Sequence, residues 1–277
     1  MSARLRAIAQ ETEGIVAAGR YRAPGGGEVP IAADVEAARD ATRMFGPEPL
    51  ELPAVAPVKT SFEVTGESSL EAARRMTTAG PAPVAVLNFA SARNPGGGYL
   101  NGAQAQEEAL CRASALYTCL VGDQVFREFY AHHRANVDPF YTDRVIHSPA
   151  VPVFRDDRGR LLQTPYTAGF LTSAAPNAGV IRRRTPERTP EIPAALATRA
   201  ERVLETAASQ GYRRLVLGAW GCGVFQNDPA QVAGAFRALL TEGRFTGHFA
   251  EVVFAILDRT RGTTTRAAFE RAFAAET

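Results

Sequence analysis

Asn94-Pro95-Gly96-Gly97-Gly98 stands seven residues before Gln106-Glu107-Glu108, and this spacing constrains the chain more than any other feature. Three successive glycines carry no Cβ and tolerate positive φ, so a ligand can lie against bare backbone there. Just upstream, Pro83 to Phe89 is a short, mostly apolar run whose length and valines predict a strand buried on both faces. Downstream, Gln106 to Val121 reads as one helix, with Leu110, Ala113, Leu116, Tyr117 and Leu120 on one face. A buried strand, a bare loop and two acids at a helix start form the local plan of an α/β ligand site.

A second segment repeats the plan. Arg214 to Trp220 is another buried-strand candidate, and it runs into Gly221-Cys222-Gly223-Val224-Phe225. Ligands of open α/β sheets bind outside the carboxyl ends of strands. If the two strands are parallel neighbours, both loops meet at one edge. Their N–H groups, with a helix N-terminus behind them, then make an anion site. Neither loop is a Walker A or a GxGxxG in its proper place.

The rest of the chain alternates helical and strand patterns. Helices are predicted over Ser2 to Ala18, Ile31 to Met44, Ser68 to Met76, Asp123 to His133, Ala194 to Gln210, Pro229 to Leu240 and Thr263 to Ala275. Strands are predicted over Val58 to Thr65, Val145 to Ile146, Val151 to Phe154, Thr167 to Ser173 and Glu251 to Leu257. Gly25 to Gly27 reads as a turn, Pro47 to Pro57 as extended, and Asp156 to Gly159 as a hairpin turn. The arginine-rich stretch Ile181 to Pro190 reads as a solvated connection. The alternation predicts one α/β domain with a mixed sheet and an N-terminal helical extension, residues 1–57 lying on a core of 58–277.

Composition excludes several classes. A formal net charge of +2 gives no global field for DNA or RNA. Cys111, Cys119 and Cys222 are odd in number and match no metal spacing, so reduced thiols are expected. The four histidines form no HxxxH-type pair, and no metal site is expected. No apolar run approaches the about 18 residues needed to span a bilayer, and the amphipathic N-terminus lacks a signal-peptide core. A cytoplasmic, metal-free monomer without membrane contact is the expectation. Trp220 and His147 read as structural residues and Cys222 as a small packing residue, while Tyr99, next to the glycines, is open between packing and ligand contact.

Successive side chains on a helix point about 100° apart, so Glu107 and Glu108 need not share one role. Dipole compensation at a helix start is the plainest use of such a pair. The glycines just upstream favour a more specific one, in which a phosphorylated sugar is brought to the same place.

Asn94-Pro-Gly-Gly-Gly, seven residues, then Gln106-Glu107-Glu108 resembles the signature of poly(ADP-ribose) glycohydrolases. Gly218-Ala-Trp-Gly-Cys-Gly-Val-Phe225-Gln-Asn-Asp-Pro resembles the second ligand loop of the compact bacterial members. Phe140-Tyr-Thr-Asp143, Ser148 to Arg155 and Ser173-Ala-Ala-Pro-Asn177-Ala-Gly resemble the intervening strands. The likeness runs from about Phe62 to Asp258.

It implies a macrodomain, a three-layer α/β fold with helices on both faces of the sheet, that binds ADP-ribose and hydrolyses ribose–ribose O-glycosidic bonds of poly(ADP-ribose). It implies Glu108 as the catalytic acid–base and Glu107 as the group that orients the terminal ribose. Gly96, Gly97 and Gly98 would approach the diphosphate and that ribose, and Gln106 belongs to the same motif as a substrate-binding candidate. Asn94, and less directly Asn88, would contact the ribose. Gly221, Gly223 and Val224 would form the diphosphate loop, with Phe225 packed on the ribose. An acid in that role must hold a proton near neutral pH, which burial and nearby phosphates favour. The implied partners are poly(ADP-ribose), poly(ADP-ribosyl)ated proteins and the ADP-ribose product, with no cofactor. The compact length points to release mainly from chain ends. Two other readings are open: an ADP-ribose-binding module without catalysis, and a hydrolase of mono-ADP-ribosylated protein.

Overall fold

A computed structural model describes residues 2–258 and 262–274. Helix α1 (Ala3–Ala18) is capped by Ser2, whose hydroxyl accepts from the Leu5 amide, and ends on Gly19 in the left-handed region. β1 (Arg20–Arg22) and β2 (Glu28–Pro30) pair antiparallel around the glycine turn at residues 25–27. α2 (Ala32–Ala41) is shorter than the predicted Ile31–Met44 helix. It stops where the Thr42 hydroxyl donates to Ala38 O at 2.7 Å, and β3 (Arg43–Phe45) leaves to pair antiparallel with a distant strand.

β4 (Ser61–Thr65) leads to α3 (Ser69–Ala79), which starts with a capping box between Ser68 and Glu71. β5 (Val84–Phe89) follows, then α4 (Gln106–Ala113) and α5 (Leu116–Leu120). These last two replace the single helix predicted over Gln106–Val121. Ser114 is extended between them; its hydroxyl donates to Leu110 O at 2.7 Å and accepts from the Leu116 amide, while its backbone bridges to Val153. α6 (Asp123–Val125) and α7 (His132–Ala135) are joined through a π-type stretch, Phe126–Ala131, into one continuous helical run.

β6 (Val145–Arg155) unites the two short strands expected there, with a register shift between Ser148 and Val151, and turns at Asp156–Gly159 into β7 (Leu161–Ser173). The arginine-rich stretch is not a loop. It forms α8 (Ala178–Arg184) and a 3-10 segment, Pro186–Glu191, running into α9 (Ile192–Ser209), and Arg188 is ion-paired with Asp138 and Glu191. β8 (Arg214–Leu217), α10 (Pro229–Arg237), β9 (Glu251–Ala255) and α11 (Thr264–Phe273) complete the chain. Ala275, the expected end of the last helix, lies outside the described residues.

Seven strands form one sheet in the order β3-β6-β7-β5-β8-β9-β4. β7, β5, β8, β9 and β4 run parallel, and β6 is antiparallel to both of its neighbours. Alternate residues of β5 face opposite ways: Val84 and Val86 join one core, Ala85 and Leu87 the other. α1 to α5 cover the first face and α8 to α11 the second. This is a three-layer, macrodomain-like arrangement. Its parallel strands place the loops after Phe89, Ser173 and Leu217 side by side at one edge.

Candidate active site

The three strand ends are tied together. The Ala90 amide and the Trp220 indole N–H both donate to Ser173 O, at 3.2 and 2.9 Å. A Cβ on Gly218 would lie 3.0 Å from the Phe89 ring, so the roots of the two glycine loops touch. Trp220 is buried, as its sequence reading expected.

The first loop folds back through Gly97 N to Asn94 O at 2.9 Å and Tyr99 N to Gly96 O at 3.0 Å. Gly96 and Gly97 take φ of +63° and +58°. A Cβ at Gly97 would collide with Glu108 Oε1 and stand 3.1 Å from Glu107 Oε2. Only bare backbone lets both carboxylates sit beneath the loop.

The two glutamates, both buried, part company from there. Glu108 Oε1 accepts from Gly98 N at 2.8 Å, while its Oε2 is buried without any partner. Glu107 Oε2 accepts from Ser91 N at 2.7 Å, and Oε1 from Asn88 Nδ2 at 3.4 Å. Burial pushes the Glu107 carboxyl up to about 8; the Ser91 amide pulls against that, and the neighbouring Glu108 adds to it.

Asn88 is fully buried, donates also to Thr172 Oγ1 at 3.0 Å, and keeps an unpartnered Oδ1. Gln106 turns away from the loop: its Oε1 accepts from Phe89 N at 2.9 Å, and its Nε2 donates to Leu87 O and Ser69 Oγ. It fastens the start of α4 to the end of β5. Asn94 is exposed on the turn, its Oδ1 accepting from Arg134 at 3.4 Å.

The second loop turns on hydrogen bonds of its own. Within it Cys222 N donates to Ala219 O, Gln226 N to Gly223 O and Asn227 N to Gly221 O. The N–H groups of Gly221, Gly223, Val224 and Phe225 have no hydrogen-bond partner among the described residues. Such free amides in a turn form an anion cradle. Gly221 has φ +71°, and a Cβ there would meet Ala175 Cβ at 2.6 Å; around Gly223 nothing lies within 4 Å. Val224 is 82% exposed, and the half-buried Phe225 ring lies 5.9 Å from Tyr141. Tyr141 and Gln226 hold positive φ of 59° and 58°, a rare state for residues with side chains. Burial raises the Cys222 thiol to about 12, which disfavours a thiolate nucleophile.

Sequence reasoning did not single out Ser91, which fixes Glu107, or Asn227, whose Nδ2 bonds Pro176 O at 2.8 Å and Gly221 O. Both act through a single local hydrogen bond or two, and nothing in their spacing marks them. Among the described residues no group of three or more His, Cys, Asp or Glu is placed to hold a metal ion, and no helix is long and apolar enough to cross a membrane.

A family profile, the catalytic domain of microbial-type PARG, matches residues 9–156. A crystal structure of poly(ADP-ribose) glycohydrolase from Thermomonospora curvata is 52% identical, with a TM-score of 0.92 over 98% of this chain and 100% of that one. The same enzyme bound to the inhibitor ADP-HPD is 51% identical, with a TM-score of 0.89 over the same shares, 98% and 100%. Poly(ADP-ribose) glycohydrolase from Deinococcus radiodurans in complex with ADP-ribose is 45% identical, with a TM-score of 0.80 over 87% of this chain and 97% of that one. No curated protein sequence matches.

Proposed function

The chain belongs to the microbial-type poly(ADP-ribose) glycohydrolases and hydrolyses the ribose–ribose O-glycosidic bonds of poly(ADP-ribose), and we propose that Glu108 is its acid–base. One observation carries the assignment. Glu108 is gripped through one oxygen by Gly98 N–H, and its other oxygen is buried and unpaired beneath a loop without side chains. A buried polar atom without a partner is costly unless a ligand meets it.

In this reading Glu108 protonates the leaving ribose hydroxyl as the glycosidic bond breaks, and then takes a proton from the attacking water. One carboxyl doing both tasks departs from the two opposed carboxylates of most glycosidases. Glu107 cannot supply the second, because it is vicinal and already bound by Ser91 N–H. Its raised proton affinity suits another task. Held neutral near pH 7, Glu107 offers a hydrogen bond to a ribose hydroxyl. Gly96, Gly97 and Gly98 admit the terminal ribose and Asn94 borders it. The free amides of Gly221, Gly223 and Val224 hold the diphosphate, and Phe225, backed by Tyr141, packs on the sugar. Gln106 and Asn88 position this machinery: Gln106 holds α4 on β5, and Asn88 braces Glu107.

The same reading has the enzyme act mainly from chain ends, as a cytoplasmic, metal-free monomer, on polymer carried by proteins and without binding DNA or RNA. Residues 1–57 and 58–277 work as one unit, since β3 pairs with β6 and α1 lies against the first loop. The test is release of free ADP-ribose from purified poly(ADP-ribose) by wild type and Glu108→Gln side by side. The variant is expected to bind ADP-ribose and lose most turnover. A variant with near-wild-type rate overturns the acid–base assignment.

A further inference from the structure

Resting on that reading, we infer that α1 is a positioning element of the catalytic loop, acting through the Glu13–Tyr99 hydrogen bond. Tyr99 follows Gly98 directly, and Gly98 N–H is the group that holds Glu108 Oε1. The Tyr99 ring is fully buried against Tyr117, with centroids 5.2 Å apart. Its single hydroxyl proton has two acceptors within reach on the helix, Glu13 Oε1 at 2.9 Å and Ala9 O at 3.2 Å.

Two more contacts fix the same helix to both halves of the site. Ser2 N donates to Gly102 O at 2.9 Å, at the far end of the short 3-10 turn Tyr99–Asn101. The buried Thr12 hydroxyl donates to Arg112 O at 2.8 Å, on the last turn of α4, the helix that carries Glu107 and Glu108. α1 therefore grips the loop that supplies the N–H and the helix that supplies the carboxylate. It sets the distance between them. The Glu13 carboxylate is half-buried, and among the described residues no arginine or histidine side chain is bonded to it; its hydrogen-bond partner is Tyr99. A solvated N-terminal helix that merely covered the core would need neither a buried tyrosine hydroxyl nor an acid reaching it.

The experiment compares Tyr99→Phe, Glu13→Ala and Glu13→Gln with wild type, and with Tyr166→Phe as a control. Tyr166 also donates its hydroxyl to a main-chain oxygen, Leu70 O at 3.0 Å, but far from the loop in the chain. Turnover of poly(ADP-ribose), KM, affinity for ADP-ribose and melting temperature are measured for each. Misplacing a catalytic group by about 1 Å costs up to about a hundredfold, so Tyr99→Phe and Glu13→Ala are expected to lose about ten- to a hundredfold in kcat. KM and ADP-ribose affinity should move little, the split expected when only transition-state geometry is lost. Glu13→Gln still accepts from the tyrosine and should retain kcat, as should Tyr166→Phe. Wild-type kcat in both Tyr99→Phe and Glu13→Ala, with wild type itself active, overturns the inference alone. A wild type that releases no ADP-ribose overturns the functional reading and takes this inference with it.

Discussion

Gly97→Ala tests the central geometry most directly. Gly97 sits at φ +58°, in the left-handed region. A side chain there costs about 1–2 kcal/mol of backbone strain. For a chain of this size each kcal/mol lowers the melting temperature by about 2–4 °C, so a fall of about 2–8 °C is expected. The catalytic effect should exceed that. The new Cβ would overlap Glu108 Oε1 and press on Glu107 Oε2 at 3.1 Å. Glu108 must then swing off Gly98 N–H, and a displacement of about 1 Å is worth about a hundredfold in rate. That is about 2.7 kcal/mol of barrier. The assay is steady-state release of ADP-ribose, at a temperature where both proteins are folded, beside a melting curve. If Gly97→Ala keeps turnover within about threefold of wild type while showing the expected thermal loss, the carboxylates do not depend on the bare loop and the argument fails.

Other consequences follow from neighbouring contacts. Gly223→Ala meets no atom within 4 Å, so its melting temperature should match wild type while ADP-ribose affinity falls; unchanged affinity by calorimetry would remove that residue from the diphosphate loop. Phe225→Ala should weaken catalysis more than folding, and unchanged kinetic constants would discard its packing role on the ribose. The folded-state carboxyl of Glu107 is raised from 4.5 to about 8, so the native protein holds a proton that the unfolded chain releases. Its contribution to stability is full below about 4.5 and is lost as pH rises through about 8. Glu107→Gln should therefore gain in melting temperature relative to wild type at pH 8 more than at pH 5, and an equal difference at both values would refute the raised affinity. Glu205 is fully buried, paired with Arg202 at 2.8 Å and with Arg244, and accepts from Leu50 N. Glu205→Ala leaves the buried Arg202 with only the longer pair to Glu201 at 3.4 Å and should destabilise the fold by about 3 kcal/mol, read by denaturant titration.

What was legible in the sequence was what local pattern controls. The strands expected over Pro83–Phe89 and Arg214–Trp220 and the helices expected from Ser68 and Pro229 lie close to where the spacing put them: β5 and β8 end at Phe89 and Leu217, and α3 and α10 begin at Ser69 and Pro229. The glycine loops were legible because absence of side chains is itself a signal. Long-range pairing was not. β3 is three residues long and exists because it pairs with β6, about a hundred residues away. The helix predicted through Ser114 is broken by a bridge to Val153, a contact that no periodicity encodes. Arg182, Arg183 and Arg184 are exposed, as the run suggests, but they belong to the last turn of α8 and not to a loop, and there positive charge complements the helix C-terminus. Gln106 falls inside a recognisable motif, but only the fold reveals that its amide grips β5.

The vicinal glutamates show how a helix start divides labour between neighbours. Both stand in the first turn of α4, under the same loop and nearly equally shielded from water. Their difference lies in what each side chain finds one rotation apart. Glu107 turns toward the end of β5 and is bonded by Ser91 N–H and Asn88. Glu108 turns toward the glycines and finds a single N–H, leaving one oxygen for a visitor. Glu107, the more enclosed of the two, has its proton affinity raised chiefly by that burial. On the roles proposed above, the loop glycines, the Ser91 amide and the helix geometry together distinguish an orienting acid from a reacting one. Exchanging their roles would require the Gly98 and Ser91 amides to change places.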